Sequence, residues 1–112
     1  MSVRQQRLQS IFLKEITDII QNGIKDPSLG FVTISDVTIS KDLSYAKVYV
    51  SFLGKKERNN AGLKVLLGAK GFIRSELAKR VKVYKVPELQ FYIDDSLEKA
   101  RRIDAIIDSF HK

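Results

Sequence analysis

Cysteine and tryptophan are absent from this 112-residue chain, methionine and histidine occur once each, and proline only twice. Without cysteine there is no disulfide, no thiolate metal site and no thiol chemistry. The single histidine, His111, stands one residue from the C-terminus, where fraying is expected. The serines therefore lack a plausible histidine base, and no histidine cluster has metal-ligand spacing. Apolar runs stay well short of the ~20 residues of a membrane span, and the N-terminus has no secretory hydrophobic core. These gaps point away from an enzyme, a metal or cofactor site, a small-molecule substrate and a membrane location. A small cytoplasmic protein is expected, and nothing demands more than a monomer.

What is present is positive charge, and it is local. The chain has 20 Lys and Arg against 13 Asp and Glu, a net +7, with a mixed composition of 44% apolar and 29% charged residues. Residues 1–112 are expected to form one domain, large enough to bury roughly two-thirds of its unfolded surface. Between Lys70 and Lys85 six basic residues (Lys70, Arg74, Lys79, Arg80, Lys82 and Lys85) meet one acid, Glu76, so five of the seven net charges fall in sixteen residues. A polyanion is the partner such a patch fits.

The pattern along the chain is α-β-β-α-break-α-β-α. Leu8, Ile11, Phe12, Ile16, Ile19 and Ile20 recur at helical spacing, and Asn22-Gly23 is a stop signal. Asp26-Pro27-Ser28-Leu29-Gly30 reads as a turn. Phe31 to Ser40 alternates like a strand, but Val32 and Ile34 lose parity with Val37 and Ile39, which predicts a β-bulge near Asp36. Tyr45 to Leu53 places Ala46, Val48, Val50 and Phe52 on one face and predicts an antiparallel hairpin with the preceding strand. After a charged loop over 54–58, Asn59 or Asn60 is expected to cap a helix on Leu63, Leu66 and Leu67. The pattern resumes on Phe72, Ile73, Leu77 and Val81, and a third strand begins at Val86-Pro87 with Leu89, Phe91 and Ile93 inward. Asp94-Asp95 suit the N-cap of a final helix on Leu97, Ala100, Ile103, Ile106, Ile107 and Phe110 better than a catalytic carboxylate pair. The expected class is α+β, a three-stranded sheet with helices packed on one face.

The break at Gly68-Ala69-Lys70-Gly71 has two compatible readings. One glycine can be a simple helix cap. Small residues there can also let a sugar-phosphate backbone approach the start of the next helix, whose N–H groups are phosphate ligands. Lys70 and Arg74, four apart, share one helical side. Lys79 and Arg80 suit a helix C-terminus, whereas Lys82 and Lys85 lie beyond it. Tyr45, Tyr49 and Tyr92 suit an outer sheet surface for base stacking, and core packing or plain strand propensity explains them equally well. Residues 60 to 81 are also compatible with a helix-turn-helix for DNA, and the sheet face with a protein–protein adaptor.

Gly68-Ala69-Lys70-Gly71 matches the loose G-x-x-G spacing of KH domains. Longer strings are more specific: Asp26 to Thr33, VTISKDLSYAKVYV from Val37 to Val50, AKGFIRSEL from Ala69 to Leu77, and KVPELQF from Lys85 to Phe91. In this order, over about Arg4 to Ile107, the chain resembles the ribosome-binding factor A family. That resemblance implies a type II KH-like domain whose phosphate-facing loop is a helix-kink-helix with an Ala-x-Gly motif, here Ala69-Lys70-Gly71. It also implies a non-enzymatic bacterial assembly factor that binds the small (30S) ribosomal subunit and its 16S rRNA in late maturation. The family aids formation of the 16S ends and is linked to growth in the cold. The C-terminal tail of some members is expected to be missing. On this reading Lys70 and Arg74 hold phosphates around the kink, while Ala69 and Gly71 permit approach. Arg80, Lys82 and Lys85 extend the surface, and Arg4 and Arg7 of the first helix add to it. Reversing the charges of Lys70 and Arg74 is then expected to abolish binding with little change in thermal midpoint.

Overall fold

The computed structural model describes residues 3–54 and 56–94. The apolar stripe near the N-terminus winds into α1 (Val3–Asp18), and a single π-helical turn (Ile19–Gly23) carries it to the expected stop. That wider turn keeps Ile19 and Ile20 buried together with Phe12 and Ile16. Gly23 then passes beneath the ring of Phe72, whose edge would lie 3.3 Å from a Cβ at this position. In the next turn Asp26 caps a short 3-10 helix (Pro27–Leu29) by accepting from the Ser28 N–H at 2.9 Å.

Strands β1 (Val32–Ile39) and β2 (Tyr45–Phe52) pair antiparallel, and the register slips between Ile34 and Asp36. Ser35 is the extra residue of the predicted bulge; its hydroxyl donates to the Tyr49 carbonyl (3.2 Å) and to the Asp94 carboxylate. The insertion returns Val37 and Ile39 to the buried face. Strand β3 (Glu88–Ile93) pairs parallel to β2, giving a mixed sheet in the order β1-β2-β3. Parallel pairing needs a long crossover, and α2 (Lys56–Gly68) with α3 (Lys70–Arg80) provides it. Pro87, with no N–H to give a ladder, sits buried just before β3.

Helices cover one face of the sheet. Phe12, Ile16 and Ile20 meet Ala46, Val48 and Val50 of β2, Leu66 of α2, Ile73 and Leu77 of α3, and Leu89 of β3, all fully buried in one cluster. Each such aliphatic or aromatic side chain contributes roughly 1.5–3 kcal/mol by leaving water. Among the described residues none of the buried ones is polar or charged. The exposed edge of β1 is met by side chains of the first helical segment. Gln5 donates to the Ile39 carbonyl (2.6 Å), Gln9 accepts from the Ile39 N–H (2.9 Å), and Gln21 donates to the Val32 carbonyl (3.1 Å).

Three expectations change. Asn59 and Asn60 lie inside α2, which starts at Lys56 with Glu57 in its first turn, where an acid complements the helix dipole. Leu67 and Phe72 are about half exposed, as is Ile11 of α1, so the apolar faces are narrower than their periodicity implied. A helix-turn-helix needs a three- to four-residue turn, but α2 and α3 are separated by Ala69 alone. The final helix and His111 lie outside the described residues, as does Asp95 of the expected Asp94-Asp95 cap, while the Asp94 carboxylate accepts from the Ser35 hydroxyl.

Candidate nucleic-acid interface

The kink between α2 and α3 is built on one residue. Ala69 leaves the helical region (φ −95°, ψ 6°), yet its N–H still reaches the carbonyls of Val65 (3.0 Å) and Leu66 (3.2 Å). Its own carbonyl accepts from the Ile73 N–H at 2.9 Å. The backbone ladder therefore bends without opening, and no side chain caps the start of α3. Ala69 packs against the core. A Cβ added at Gly68 or Gly71 would meet nothing within 4 Å, and neither has a positive φ. Nothing inside the fold requires glycine at either position.

Around this kink the predicted residues separate into groups. Gly71, Arg74 and Lys85 line one groove of about 490 Å³, together with Tyr84. Arg4, Arg7 and Lys82 line another of about 700 Å³, between α1, the β1–β2 loop and the segment after α3. Tyr84, 86% exposed, borders both. Ala69 instead faces a third groove of about 620 Å³, shared with Lys25 and Lys64. Lys70 begins α3 and lines none of these three grooves.

Several of the cations already have partners. Arg74 donates to the carbonyls of Val86 (2.8 Å) and Pro87 (3.3 Å), pinning the segment that enters β3. Its positive charge is not cancelled by these contacts, but reversing it removes fold contacts as well, so the expected unchanged thermal midpoint does not follow. Arg80 reaches across to α1, with Asp18 at 2.6 Å and Glu15 at 3.3 Å. The hydrogen bond from Arg80, helped by one from Asn22, holds the Asp18 carboxyl below the usual carboxylate range. Lys79 pairs with Glu76 at 2.9 Å. Lys85 donates to the Ser44 hydroxyl at 3.2 Å. Among the described residues, Lys70 and Lys82 have neither hydrogen bond nor ion pair, so the net charge of the run is presented chiefly by Lys70, Arg74, Lys82 and Lys85.

Lys25, Lys41, Lys64 and the position of Tyr84 were not singled out from the sequence; each lysine lies outside the dense basic run, and only the tertiary fold brings it to a groove. On the outer sheet face Tyr49 and Tyr92 stack on one another, centroids 5.7 Å apart, and the Lys47 ammonium lies 5.9 Å from the Tyr92 ring. Among the described residues no group of three or more His, Asp or Glu side chains is placed to hold a metal ion, and no helix is long and apolar enough to cross a membrane.

A one-sided α+β domain with a basic kinked-helix surface is the class these features define. The family profile of ribosome-binding factor A matches residues 4–107. A ribosome-binding factor A of Staphylococcus carnosus (strain TM300) is 46% identical over 110 residues, spanning 98% of this chain and 96% of the relative. The crystal structure of ribosome-binding factor A from Thermus thermophilus superposes with a TM-score of 0.72 at 29% identity, covering 80% of this chain and 93% of that one. Coordinates of a homology model of the Thermus thermophilus factor, as fitted into the cryo-EM map of a 30S–RbfA complex, give a TM-score of 0.66 at 30% identity, covering 77% of this chain and 90% of that one. The chain belongs to the ribosome-binding factor A family.

Proposed function

We propose that this protein is a non-enzymatic assembly factor that binds the small ribosomal subunit through 16S rRNA during late maturation, aids formation of the 16S ends and supports growth in the cold. The observation that carries the reading is the match to a relative whose coordinates were fitted into a 30S complex. Two basic grooves support it: the one beside the kink carries Arg74 and Lys85, and the one beyond the far end of α3 carries Arg4, Arg7 and Lys82, each a surface a phosphate chain can follow. Lys70 adds charge where α3 begins, and the open space over Gly68 and Gly71 leaves the helix backbone approachable. Arg80 acts differently from the other cations, fastening α3 to α1. Phosphate contacts of this kind position a protein without reading base sequence, so specificity comes from the shape of the subunit. The protein works in the cytoplasm as a monomer and acts by favouring one arrangement of RNA through differential binding.

Co-sedimentation with small subunits over a salt series tests this, with duplex DNA at matched salt as the comparison. Neutralising about five or six phosphates gives a slope of log affinity against log salt of about −4 to −5. The loss is then roughly 300- to 1,000-fold between 50 and 200 mM salt. Binding to duplex DNA as tight as to subunits, or subunit binding indifferent to salt, defeats the proposal.

A further inference from the structure

The groove between α1 and the β1–β2 loop has an apolar floor at the edge of the core, and phosphate binding makes no use of it. Leu8 and Ile11 of α1, Leu43 of the loop and Val83 line it with apolar surface. Arg4, Arg7, Lys41 and Lys82 stand around it, and no acidic residue lines it. Its volume of about 700 Å³ falls in the range of sites that enclose small organic groups. Ile11 belongs to the apolar repeat of α1 but is 47% exposed, so the sheet does not use it.

Leu43 adds an independent sign. It has φ +60°, the one positive value at a non-glycine among the described residues, in a region bulky side chains avoid. The loop enforces this conformation. The Leu43 N–H donates to the Ser40 carbonyl at 3.0 Å, and the Asp42 carboxylate accepts from the Ser40 hydroxyl (2.9 Å) and the Ser44 N–H (3.0 Å). The Ser40 hydroxyl in turn accepts from the Tyr45 N–H at 3.0 Å. A glycine or asparagine would relax the turn, yet a leucine is held there, packed against the edge of the core and bordering the groove. Backbone strain kept in place by surrounding hydrogen bonds concentrates at ligand contacts.

We infer that this groove seats one unpaired RNA base, with the flanking phosphates on Arg4, Arg7, Lys41 and Lys82. The inference deepens the rRNA-binding reading above and rests on it. A nucleotide pairs a flat, weakly polar ring with anions on either side, which is the pattern of this groove. An uncharged apolar peptide would leave four cations unanswered, and a paired duplex would leave the floor empty. Tyr84 at the mouth offers a ring for stacking, which tolerates any base because every base has a π-face.

The test is fluorescence anisotropy on the full chain with an eight-nucleotide single-stranded RNA and an abasic strand of equal phosphate number, at one salt concentration. The base-bearing strand is expected to bind roughly ten-fold tighter or more, as base–aromatic stacking usually gives. Ile11→Ser and Tyr84→Ala, both at exposed positions, should bring that ratio towards one while the salt slope stays unchanged. Arg7→Ala should weaken both strands alike. A ratio near one in the unaltered protein overturns the base site, as does a ratio the two groove variants leave intact. If neither strand binds while small subunits still co-sediment, the base site fails and the rRNA reading stands. If subunits do not co-sediment either, both fail. Loss of subunit binding in Ile11→Ser with an unchanged ratio overturns the base site in favour of contact with a ribosomal protein.

Discussion

Gly62 and Gly71 lie in consecutive helices and answer to opposite constraints. A Cβ on Gly62 would come within 2.1 Å of the Phe52 ring, so the ring occupies the space a side chain would need. Alanine favours a helix by about 1 kcal/mol over glycine, but overpacking costs roughly 1–3 kcal/mol, and here the second effect wins. Gly62→Ala should lower the thermal midpoint by several degrees, measured by calorimetry. At Gly71 nothing opposes the propensity gain, so Gly71→Ala should raise the midpoint, by up to about 1 kcal/mol of stability. Gly71→Leu should remain folded and lose small-subunit affinity in co-sedimentation. Unimpaired binding by a folded Gly71→Leu would remove the kink from the interface. Arg74 braces the fold and, on the proposed function, also binds phosphate: Arg74→Ala should cost about 1 kcal/mol through its two carbonyl contacts, and weaken subunit binding besides. From the sequence, Gly71 was legible as a small residue beside a helix break, and the structure leaves open space over it. Gly62 was not, because its reason is a ring ten residues earlier on another element. Arg74 was legible as a cation but not as a brace, since main-chain carbonyls leave no mark in a residue pattern.

Elements are joined by contacts with a pH signature. Arg80 ties α3 to Asp18 at the end of α1, and its hydrogen bond lowers the Asp18 pKa. Asp42 is lowered too, first by the Ser44 hydrogen bonds and then by Ser40, within the β1–β2 loop. A carboxylate with a depressed folded pKa adds stability that is complete above its ordinary value, near 4, and is lost as pH falls through the lower folded value. The thermal midpoint should therefore fall modestly below about pH 4, and Asp18→Asn should lower it slightly at neutral pH while flattening the acid limb. An acid limb identical in that variant would show that the pair does not couple the helices. Single elements were largely readable, the bulge included, because parity slippage is a local signal carried by Val32, Ile34, Val37 and Ile39. The α1–α3 tie was not, because Glu15 and Asp18 lie 65 and 62 residues from Arg80. For the same reason the basic run promised more free charge than the fold presents.

Across the whole molecule, a mixed sheet carries helices on one side, and the three grooves lie around the kink and the β1–β2 loop. Class and strand number followed from periodicity. The parallel docking of β3 depends on the crossover helices packing back onto the sheet, which no local pattern records. The same holds for the grooves, each assembled from segments distant in sequence.

The glutamines along β1 have a consequence for timing. Gln9 takes the outward N–H of Ile39 and Gln5 its carbonyl, so two side chains of a helix complete a ladder where, among the described residues, no strand lies. An amide at the rim of a sheet ordinarily trades its proton with solvent through small local openings, well before the molecule unfolds. Here release of the Ile39 proton requires the Gln9 side chain to swing off it, and that side chain is part-buried on α1, which carries Phe12 and Ile16 into the core. In heavy water, the Ile39 amide should therefore exchange more slowly than an edge amide open to solvent, and Gln9→Ala should make it fast while leaving those of Val48 and Val50 unchanged.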